Sequence, residues 1–278
     1  MPELPEVETM RRGVLGVVGA TIANVKRPPC TKKPISITPA MGTFRRKLLG
    51  KQIIDIARVG KRVVLVLDDD SRVIMEPRMT GLVLITDPPT LDHLRLEIQL
   101  ENCEVDTLLF WDRRGLGTIR WMSASEFDEA FSRKHIGPDA LDIDWKILRD
   151  CFATSRRAIK VALLDQKRLA GIGNLYAAEI LHLAKVHPEK ECDELTAHQW
   201  KKMATAMQQV LTQAIRYEGS TLGDGTYRNA LNQDGGYQSK HLVYAKAGEV
   251  CGTCQKEEVL RIVQAQRSTF YCPRCQKL

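Results

Sequence analysis

Four cysteines near the carboxyl end of the chain constrain its fold more than any other feature. Cys251, Cys254, Cys272 and Cys275 have the spacing C-x2-C-x17-C-x2-C. Two such pairs supply four thiolates to a tetrahedral zinc ion, and the residues between them can form a hairpin that brings the pairs together. A redox dithiol is the alternative for a single pair, but two pairs at this spacing favour zinc. The sequence therefore predicts a C-terminal zinc ribbon with one structural Zn²⁺.

The amino terminus carries the second informative motif, the run PELPEVET over residues 2–9. Removal of the initiator methionine would expose the secondary amine of Pro2. An α-amine titrates near ~8, so part of it is nucleophilic at neutral pH. Such an amine can attack a sugar C1′ and form a Schiff base, with Glu3 beside it as a general acid. The structural alternative is that Pro5 starts a helix and the glutamates after it favour the positive end of its dipole. The two interpretations are compatible.

Length and charge limit the class of protein. The 278 residues suggest two domains and a small module, and a hydrophobic fraction of 44% is enough for real cores. A formal net charge of +7 suits a polyanionic partner. No stretch reaches the length of a transmembrane helix. The arginines and the apolar run after residue 10 are similar to a signal peptide. Three glutamates precede them, however, and cleavage would remove Pro2, so this interpretation is rejected.

The other cysteines indicate the compartment. They are scattered without the pattern of a disulfide framework, which favours a reducing, intracellular environment. These four residues are Cys30, Cys103, Cys151 and Cys192.

The first half of the chain reads as strand-rich after an initial helix over residues 5–17. Short β-branched or alternating segments are separated by turn residues, a rhythm typical of an antiparallel sandwich or barrel. The predicted strands are 53–56, 63–67, 73–75, 82–85, 94–100, 105–111 and 117–121.

Beyond about residue 123 the pattern becomes helical. One predicted helix ends before Gly171, and Asn174 is placed to cap the next. Thr196 and Gln199 form a capping box for a third helix, which Gly219 ends. The segment 219–236 contains five glycines and no apolar periodicity, so it is predicted to be a functional loop.

Several blocks resemble the formamidopyrimidine-DNA glycosylase family. They are MPELPEVETMRRGV at the start, LAGIGNLYA at 169–177, Leu242-Val243-Tyr244 followed by Gly248-Glu249, and AQRSTFYCPRCQKL at the end. The resemblance implies a multidomain α+β fold. Its parts are an N-terminal antiparallel β-sandwich with a leading helix (1–122), a helix–two-turn–helix DNA-binding domain with a lesion-capping loop at 219–236 (123–236), and a zinc-finger domain (237–278).

The family resemblance also implies the chemistry. It predicts a bifunctional DNA glycosylase and AP lyase that excises oxidised purines, 8-oxoguanine and formamidopyrimidines, from duplex DNA. Pro2 would attack C1′ of an extruded nucleotide and Glu3 would protonate the opening sugar, after which β- and δ-elimination break the strand. Lys61 and Arg267 match residues that grip phosphates and assist elimination; a solvated surface charge is the alternative for each. The expected partner is double-stranded DNA with a damaged base, bound by a cytoplasmic, nucleoid-associated monomer.

Six further residues occupy the DNA-binding positions of the family. Three would fill the space that an extruded nucleotide leaves, and three would contact the DNA elsewhere. The first group is Met79, Arg114 and Leu116, and the second is Lys160, Asn174 and Tyr237. Core packing, a helix cap or a solvated face are the structural alternatives for individual members.

The chain departs from the family at four positions. Leu116 stands where phenylalanine is usual, and Glu76 stands where histidine is common. Leu91 replaces the first histidine of a His-Asp-His run, and Ser155 replaces a lysine. The departures at Glu76, Leu91 and Ser155 each remove a possible phosphate contact, so we expect binding to be weaker and to depend less on salt.

Two other functions stay open at this point. An endonuclease VIII-like enzyme would prefer oxidised pyrimidines, but that branch usually has glycine at the fourth position, where this chain has Leu4. A non-catalytic lesion-binding protein would keep the fold and the zinc, and retention of Pro2 and Glu3 counts against it.

Overall fold

A computed structural model describes residues 2–278. They form two compact units. The first comprises the described residues up to Ser132 together with Ile215–Gln238, and the second comprises Arg133–Ala214 and Ser239–Leu278. The domain boundaries expected from the sequence, after residues 122 and 236, stay predictions.

The strands found among residues 2–278 are β1 (Thr21–Lys26), β2 (Ser36–Thr38), β3 (Ile53–Val59), β4 (Arg62–Leu67), β5 (Arg72–Glu76), β6 (Gly81–Leu84), β7 (Leu94–Glu101), β8 (Thr107–Asp112), β9 (Thr118–Met122), β10 (Leu260–Gln264) and β11 (Arg267–Tyr271). The α-helices in the same residues are α1 (Leu4–Gly13), α2 (Met41–Leu48), α3 (Ala124–Ala130), α4 (Trp145–Phe152), α5 (Ile159–Ala162), α6 (Asn174–Ala184) and α7 (Ala197–Arg216). None of these helices is both long and apolar enough to cross a membrane.

The first unit is a β-sandwich with a leading helix, as the sequence predicts. One sheet has the order β1-β7-β8-β6 and the other β2-β9-β5-β4-β3. The pairs are antiparallel except β2 and β9, which run parallel. Apolar side chains of both sheets and of α1 share one core, because alternate residues of each strand point inward.

All seven predicted strands are present in the sandwich. The strands β1 and β2 had no clear signal in the sequence. A register shift between Ile22 and Asn24 interrupts the alternation of β1, and β2 has only three residues.

The predicted helix over residues 5–17 is wrong in its last part. The α-helix α1 ends at Gly13, and a 3-10 turn follows at Leu15–Val17. Gly13 allows a close approach, because a Cβ there would lie 2.5 Å from the Cβ of Ala230. The glycine therefore lets α1 pack against the segment 215–238.

The second unit holds the remaining helices and the cysteine hairpin. The predicted capping box is confirmed: Gln199 N donates to Thr196 Oγ1 at 3.2 Å, and Thr196 N donates to Gln199 Oε1 at 3.0 Å. In this unit Phe152 stacks on Trp200, with ring centroids 6.5 Å apart. The antiparallel hairpin β10–β11 pairs Gln264 with Arg267 next to its turn.

Candidate functional site

The residues next to the amino terminus are buried and fixed by one carboxylate. Pro2 is buried, and Glu3 is only 4% exposed. Glu6 Oε2 accepts a hydrogen bond from Glu3 N at 2.9 Å, while Glu6 Oε1 accepts one from Ser220 N at 2.9 Å. Glu6 therefore joins the Pro2-Glu3 motif to the start of the 219–236 loop. From the sequence, Glu6 is expected only to favour the start of the helix; the Glu-x-x-Glu spacing of Glu3 and Glu6 is the local signal of a capping box.

The two ends of the 219–236 loop are tied together. Tyr237 N donates to Gly219 O at 2.9 Å, and Gly235 N donates to Thr221 Oγ1 at 2.8 Å. A Cβ at Gly235 would lie 2.4 Å from the carbonyl oxygen of Gly219, so only glycine fits this crossing. Tyr237 is itself buried. Its predicted contact with DNA stays a prediction.

Lys61 lies in the two-residue turn between β3 and β4 and is half-buried. An ionic chain joins this turn to α1. Arg58 donates from Nε to Glu8 Oε2 at 3.0 Å and from Nη1 to the carbonyl oxygen of Gly60 at 3.0 Å. Arg11 and Arg12 also bind Glu8, each at 2.8 Å. Burial raises the pKa of Glu8, but these hydrogen bonds outweigh it and bring the pKa to about 2.

Met79 and Arg114, two of the three predicted space-filling residues, touch each other. Arg114 Nη1 lies 3.0 Å from Met79 Sδ, and both side chains are exposed. Leu116 is half-buried on the loop between β8 and β9, which also carries Arg114. The structure therefore brings together two chain segments that the sequence only suggested were related.

A buried aspartate organises this loop. Asp112 Oδ1 accepts from Arg114 N at 3.2 Å, and Asp112 Oδ2 accepts from Gly117 N at 2.7 Å. Thr80, next to Met79, donates to the same carboxylate through its hydroxyl. Asp112 was absent from the predicted site residues. Its place two residues before Arg114 was the only signal in the sequence.

Glu76 has its charge offset by nearby basic side chains. Arg62 Nη2 donates to Glu76 Oε1 at 3.2 Å, and Arg78 Nε lies 3.8 Å from the same oxygen. Thr118 Oγ1 donates to the other oxygen at 3.4 Å. The carboxylate at this position is thus paired within the protein.

The altered His-Asp-His position is occupied by Leu91, which is exposed, and by His93, which packs edge-on against Trp111.

In the second unit, Asn174 has a different role from the predicted helix cap. Gly173 is the N-cap of α6, and Asn174 is the first helical residue. Asn174 Oδ1 accepts from Lys160 Nζ at 2.7 Å, and Asn174 Nδ2 donates to Ser268 O at 2.9 Å. The cap prediction is wrong because these long-range partners take both ends of the amide. Lys160 is fully buried, so it is not a solvated lysine on a helix face.

Arg267 is exposed at the start of β11, next to a two-residue turn. Ala265 and Gln266 form the turn, with φ of +46° and +61°. Positive φ at both central residues is the type I′ geometry, which matches the twist of two antiparallel strands and is the ordinary connection of a two-residue hairpin. The turn places Arg267 at the exposed tip of the hairpin. The contact with phosphate expected for this residue stays a prediction.

The four predicted metal ligands lie together. Their sulfur atoms are all within 4.8 Å of one another. Cys251 Sγ is 3.9 Å from Cys275 Sγ, and Cys254 Sγ is 3.7 Å from Cys272 Sγ. Zinc–sulfur bonds of ~2.3 Å in a tetrahedron require sulfur atoms about 3.8 Å apart. The residues therefore fit a four-thiolate zinc ion.

Gln276 connects the cysteine cluster to α6. Its Oε1 accepts from Cys272 N at 3.0 Å and lies 3.0 Å from His182 Nδ1. Its Nε2 donates to Val186 O at 2.9 Å. Because Gln276 is buried, these contacts hold the second cysteine pair against the helix.

Comparison with protein families gives three matches along the chain. The model of the formamidopyrimidine-DNA glycosylase N-terminal domain matches residues 1–119, and that of the formamidopyrimidine-DNA glycosylase H2TH domain matches 136–225. The model of a zinc finger found in FPG and IleRS matches 258–278.

Similar proteins extend over the full length. Formamidopyrimidine-DNA glycosylase of Chloroflexus aurantiacus is 36% identical over 281 residues, covering 99% of this chain and 98% of its own. That of Lactococcus lactis subsp. cremoris is 35% identical over 283 residues, covering 100% of both.

Solved structures are similar over the same length. A complex of a Lactococcus lactis Fpg variant with Fapy-dG-containing DNA has a TM-score of 0.87 at 34% identity, covering 100% of both chains. A complex of the wild-type Lactococcus lactis protein with DNA containing an oxidised pyrimidine has a TM-score of 0.86 at 33% identity, again covering 100% of both chains.

Proposed function

The chain belongs to the formamidopyrimidine-DNA glycosylase family, and on that premise we propose that it excises oxidised purines from duplex DNA and then cleaves the strand. The observation that carries the proposal is the buried Pro2-Glu3 pair, which Glu6 holds against the 219–236 loop. These hydrogen bonds fix the position of the Pro2-Glu3 pair, as a reaction at the Pro2 amine would require.

The proposed reaction begins with the Pro2 amine. Its lone pair attacks C1′ of the extruded nucleotide, the bond to the ring oxygen opens, and Glu3 gives that oxygen a proton. The Pro2 nitrogen then loses its proton, and its lone pair expels the damaged base, which leaves with the electrons of the glycosidic bond and takes up that proton. An iminium ion remains between Pro2 and C1′. Loss of a C2′ proton then expels the 3′ phosphate by β-elimination, and δ-elimination expels the 5′ phosphate.

Lys61 and Arg267 are proposed to bind the phosphates that leave. The Lys61 turn is anchored to α1 through Arg58 and Glu8, which supports a fixed position for the ammonium group. The exposed guanidinium of Arg267 can bind a phosphate through two parallel hydrogen bonds. Arg114 and Met79 support the extrusion step, because their contact forms one exposed wedge of the kind that fills an opened base step.

The zinc ion is proposed to have a structural role. All four ligand positions are filled by cysteines, so the ion would supply rigidity to the hairpin that carries Arg267. Asn174, which binds the backbone of Ser268, supports the same hairpin from α6.

Purine lesions are the first choice of substrate because the similar proteins are named formamidopyrimidine-DNA glycosylases and one similar structure holds Fapy-dG in its DNA. An oxidised pyrimidine is the second candidate, since another similar structure contains one. The two substrate classes are separable by direct comparison on matched duplexes.

The test is an analysis of cleavage products from end-labelled duplexes that contain 8-oxoguanine opposite cytosine, or thymine glycol opposite adenine. Excision of 8-oxoguanine with β- and δ-elimination ends is expected, and heat or alkali should release no further product. Base release with an intact strand would contradict the lyase step. Binding of the lesion without base release would favour the lesion-binding protein.

A further inference from the structure

A small cavity in the first unit gathers the positive charges of three side chains. It has a volume of about 230 Å³, and Arg27, Lys32 and Arg95 are among its lining residues with the thiol of Cys30. Pockets for larger organic ligands span about 300–1,000 Å³, so this one suits a small ligand. Within residues 2–278, none of the three cations forms an ion pair.

Arg95 is the buried member of the group, with 3% of its surface exposed. It projects from β7, and its Nε donates to the carbonyl oxygen of Asp112 at 2.8 Å. Its Nη1 donates to Cys30 Sγ at 2.7 Å. Its Nη2 is buried and has no hydrogen-bond partner in the described part of the chain. A buried guanidinium N–H without an acceptor is costly, and it indicates a missing anionic or polar partner.

The neighbouring side chains experience the same positive field. Burial lowers the pKa of His93, and the charges of Arg95, Lys32 and Arg113 lower it further, against the opposing charge of Asp92. Cys30 donates its thiol hydrogen to the carbonyl oxygen of Asp92 at 3.0 Å, which leaves the sulfur lone pairs facing Arg95. The Cys30 sulfur therefore accepts a hydrogen bond from the Arg95 guanidinium.

We propose that this cavity is a binding site for a phosphate-class oxoanion. Arg95 is its buried anchor, and the exposed Arg27 and Lys32 close it from the solvent side. A guanidinium presents parallel N–H groups that match two oxygens of a phosphate. The ligand can come from two sources, inorganic phosphate or a backbone phosphodiester of DNA. The site stands whether or not the chain excises bases, because none of its residues belongs to the proposed reaction.

Cys30 provides a built-in reporter, since an oxoanion beside Arg95 would cover its sulfur. The experiment measures alkylation of zinc-loaded, full-length protein by uncharged iodoacetamide, with peptide mass spectrometry. Inorganic phosphate is titrated at constant ionic strength, and an undamaged duplex forms a second arm. Cys103 and Cys151, which are also half-buried, report any general effect.

Phosphate is expected to slow alkylation of Cys30 in a saturable way and to leave Cys103 and Cys151 unchanged. Lys32→Gln should raise the phosphate concentration that gives half of the maximal protection about fivefold. This factor is the upper range of what one surface charge pair contributes. Lys33→Gln is the matched control, because Lys33 is exposed but does not line the cavity. Arg27→Gln provides a second variant at an exposed position.

Protection by the duplex alone, lost in Lys32→Gln and kept in Lys33→Gln, would support the site with a backbone phosphodiester as its ligand. Protection by neither phosphate nor DNA would overturn the proposal. Equal protection of all three thiols, or protection that Lys32→Gln and Arg27→Gln leave unchanged, would also overturn it.

Discussion

The buried Lys160 and the half-buried Asn174 form a hydrogen bond, with Lys160 Nζ 2.7 Å from Asn174 Oδ1. The same amide donates to Ser268 O at 2.9 Å, one residue after Arg267. One side chain therefore connects a fully buried ammonium group to the hairpin that carries a proposed catalytic arginine. The arrangement fixes Arg267 relative to the helices of its own unit.

Substitution of Asn174 should lower both stability and activity. Asn174→Ala removes one partner of Lys160 and leaves Ser268 O without its donor, so we expect the free energy of unfolding to fall by about 1–3 kcal/mol. Strand cleavage should slow as well, because the hairpin loses a support. Denaturant unfolding and single-turnover cleavage measure the two effects.

Ser268→Ala is the matched control, because it keeps the carbonyl oxygen and removes only the hydroxyl that Arg261 contacts. It should change the unfolding free energy by about 0.5 kcal/mol or less. Equal effects of the two substitutions would contradict the role of the amide.

Asp112 should control the placement of Arg114 and Met79. In Asp112→Asn, one of the backbone N–H donors at Arg114 and Gly117 would face an amide NH₂ instead of an oxygen. We expect a loss of about 1–3 kcal/mol in the free energy of unfolding and slower extrusion of the damaged nucleotide. Fluorescence of 2-aminopurine placed beside the lesion follows extrusion directly.

The surface variant Asp106→Asn is a suitable comparison, because Asp106 is exposed in the same unit. It should leave both measurements unchanged. Normal extrusion in Asp112→Asn would show that the loop does not need this carboxylate.

Glu8 should make the first unit sensitive to acid. Its pKa in the folded protein is about 2, below the ordinary value of 4.5. A carboxyl group whose pKa is lowered on folding stabilises the folded state at any pH above its pKa in the unfolded chain. This stabilisation is lost as the pH falls from about 4.5 to about 2. Glu8→Gln should therefore lower the free energy of unfolding by about 2 kcal/mol at pH 7. This figure is smaller than the full pKa shift implies, because solvent screens the charge of the exposed Arg12.

The difference between wild type and Glu8→Gln should shrink through that pH window, as urea unfolding at several pH values would show. Glu104→Gln, at an exposed position of the same unit, should show no such change. A constant difference from pH 7 to pH 2.5 would mean that the Glu8 charge contributes nothing.

Metal removal should affect the hairpin first. We expect one zinc ion per chain, and chelation should release the β10–β11 amides to fast hydrogen exchange, because binding a structural zinc drives folding of such small modules. Cys254→Ser should reproduce the effect of chelation. Cys103→Ser, at a cysteine outside the cluster, should retain zinc and protection. Retention of hairpin protection after complete chelation would exclude a structural role for the ion.

The sequence predicts well those features that depend on local pattern. The β-sandwich strands are recognisable because their alternation is local, and the cysteine cluster because its ligands come in close pairs. The family resemblance is confirmed over the whole chain. The end of α1 was missed because Met10, Val14 and Val17 keep a helical apolar spacing across it, while the backbone continues as a 3-10 turn at Leu15–Val17.

The site was harder to predict wherever a side chain serves a distant partner. Asn174 resembled a helix cap, but its amide binds Ser268, 94 positions later. Glu6 fitted the start of a helix, yet one of its oxygens binds Ser220, 214 positions later. Neither contact leaves a periodic signal, because each involves a single residue whose partner is set by tertiary packing.

The central claim is that the amino-terminal amine of Pro2 is the nucleophile. Borohydride trapping tests it most directly, using zinc-loaded protein without Met1 and a duplex with 8-oxoguanine opposite cytosine. Duplexes with thymine glycol or an abasic site run in parallel. We predict a covalent protein–DNA adduct on 8-oxoguanine that maps to the Pro2 nitrogen and is absent when Met1 is retained. An adduct that maps to a lysine side chain, or none on any of the three duplexes, would contradict the account.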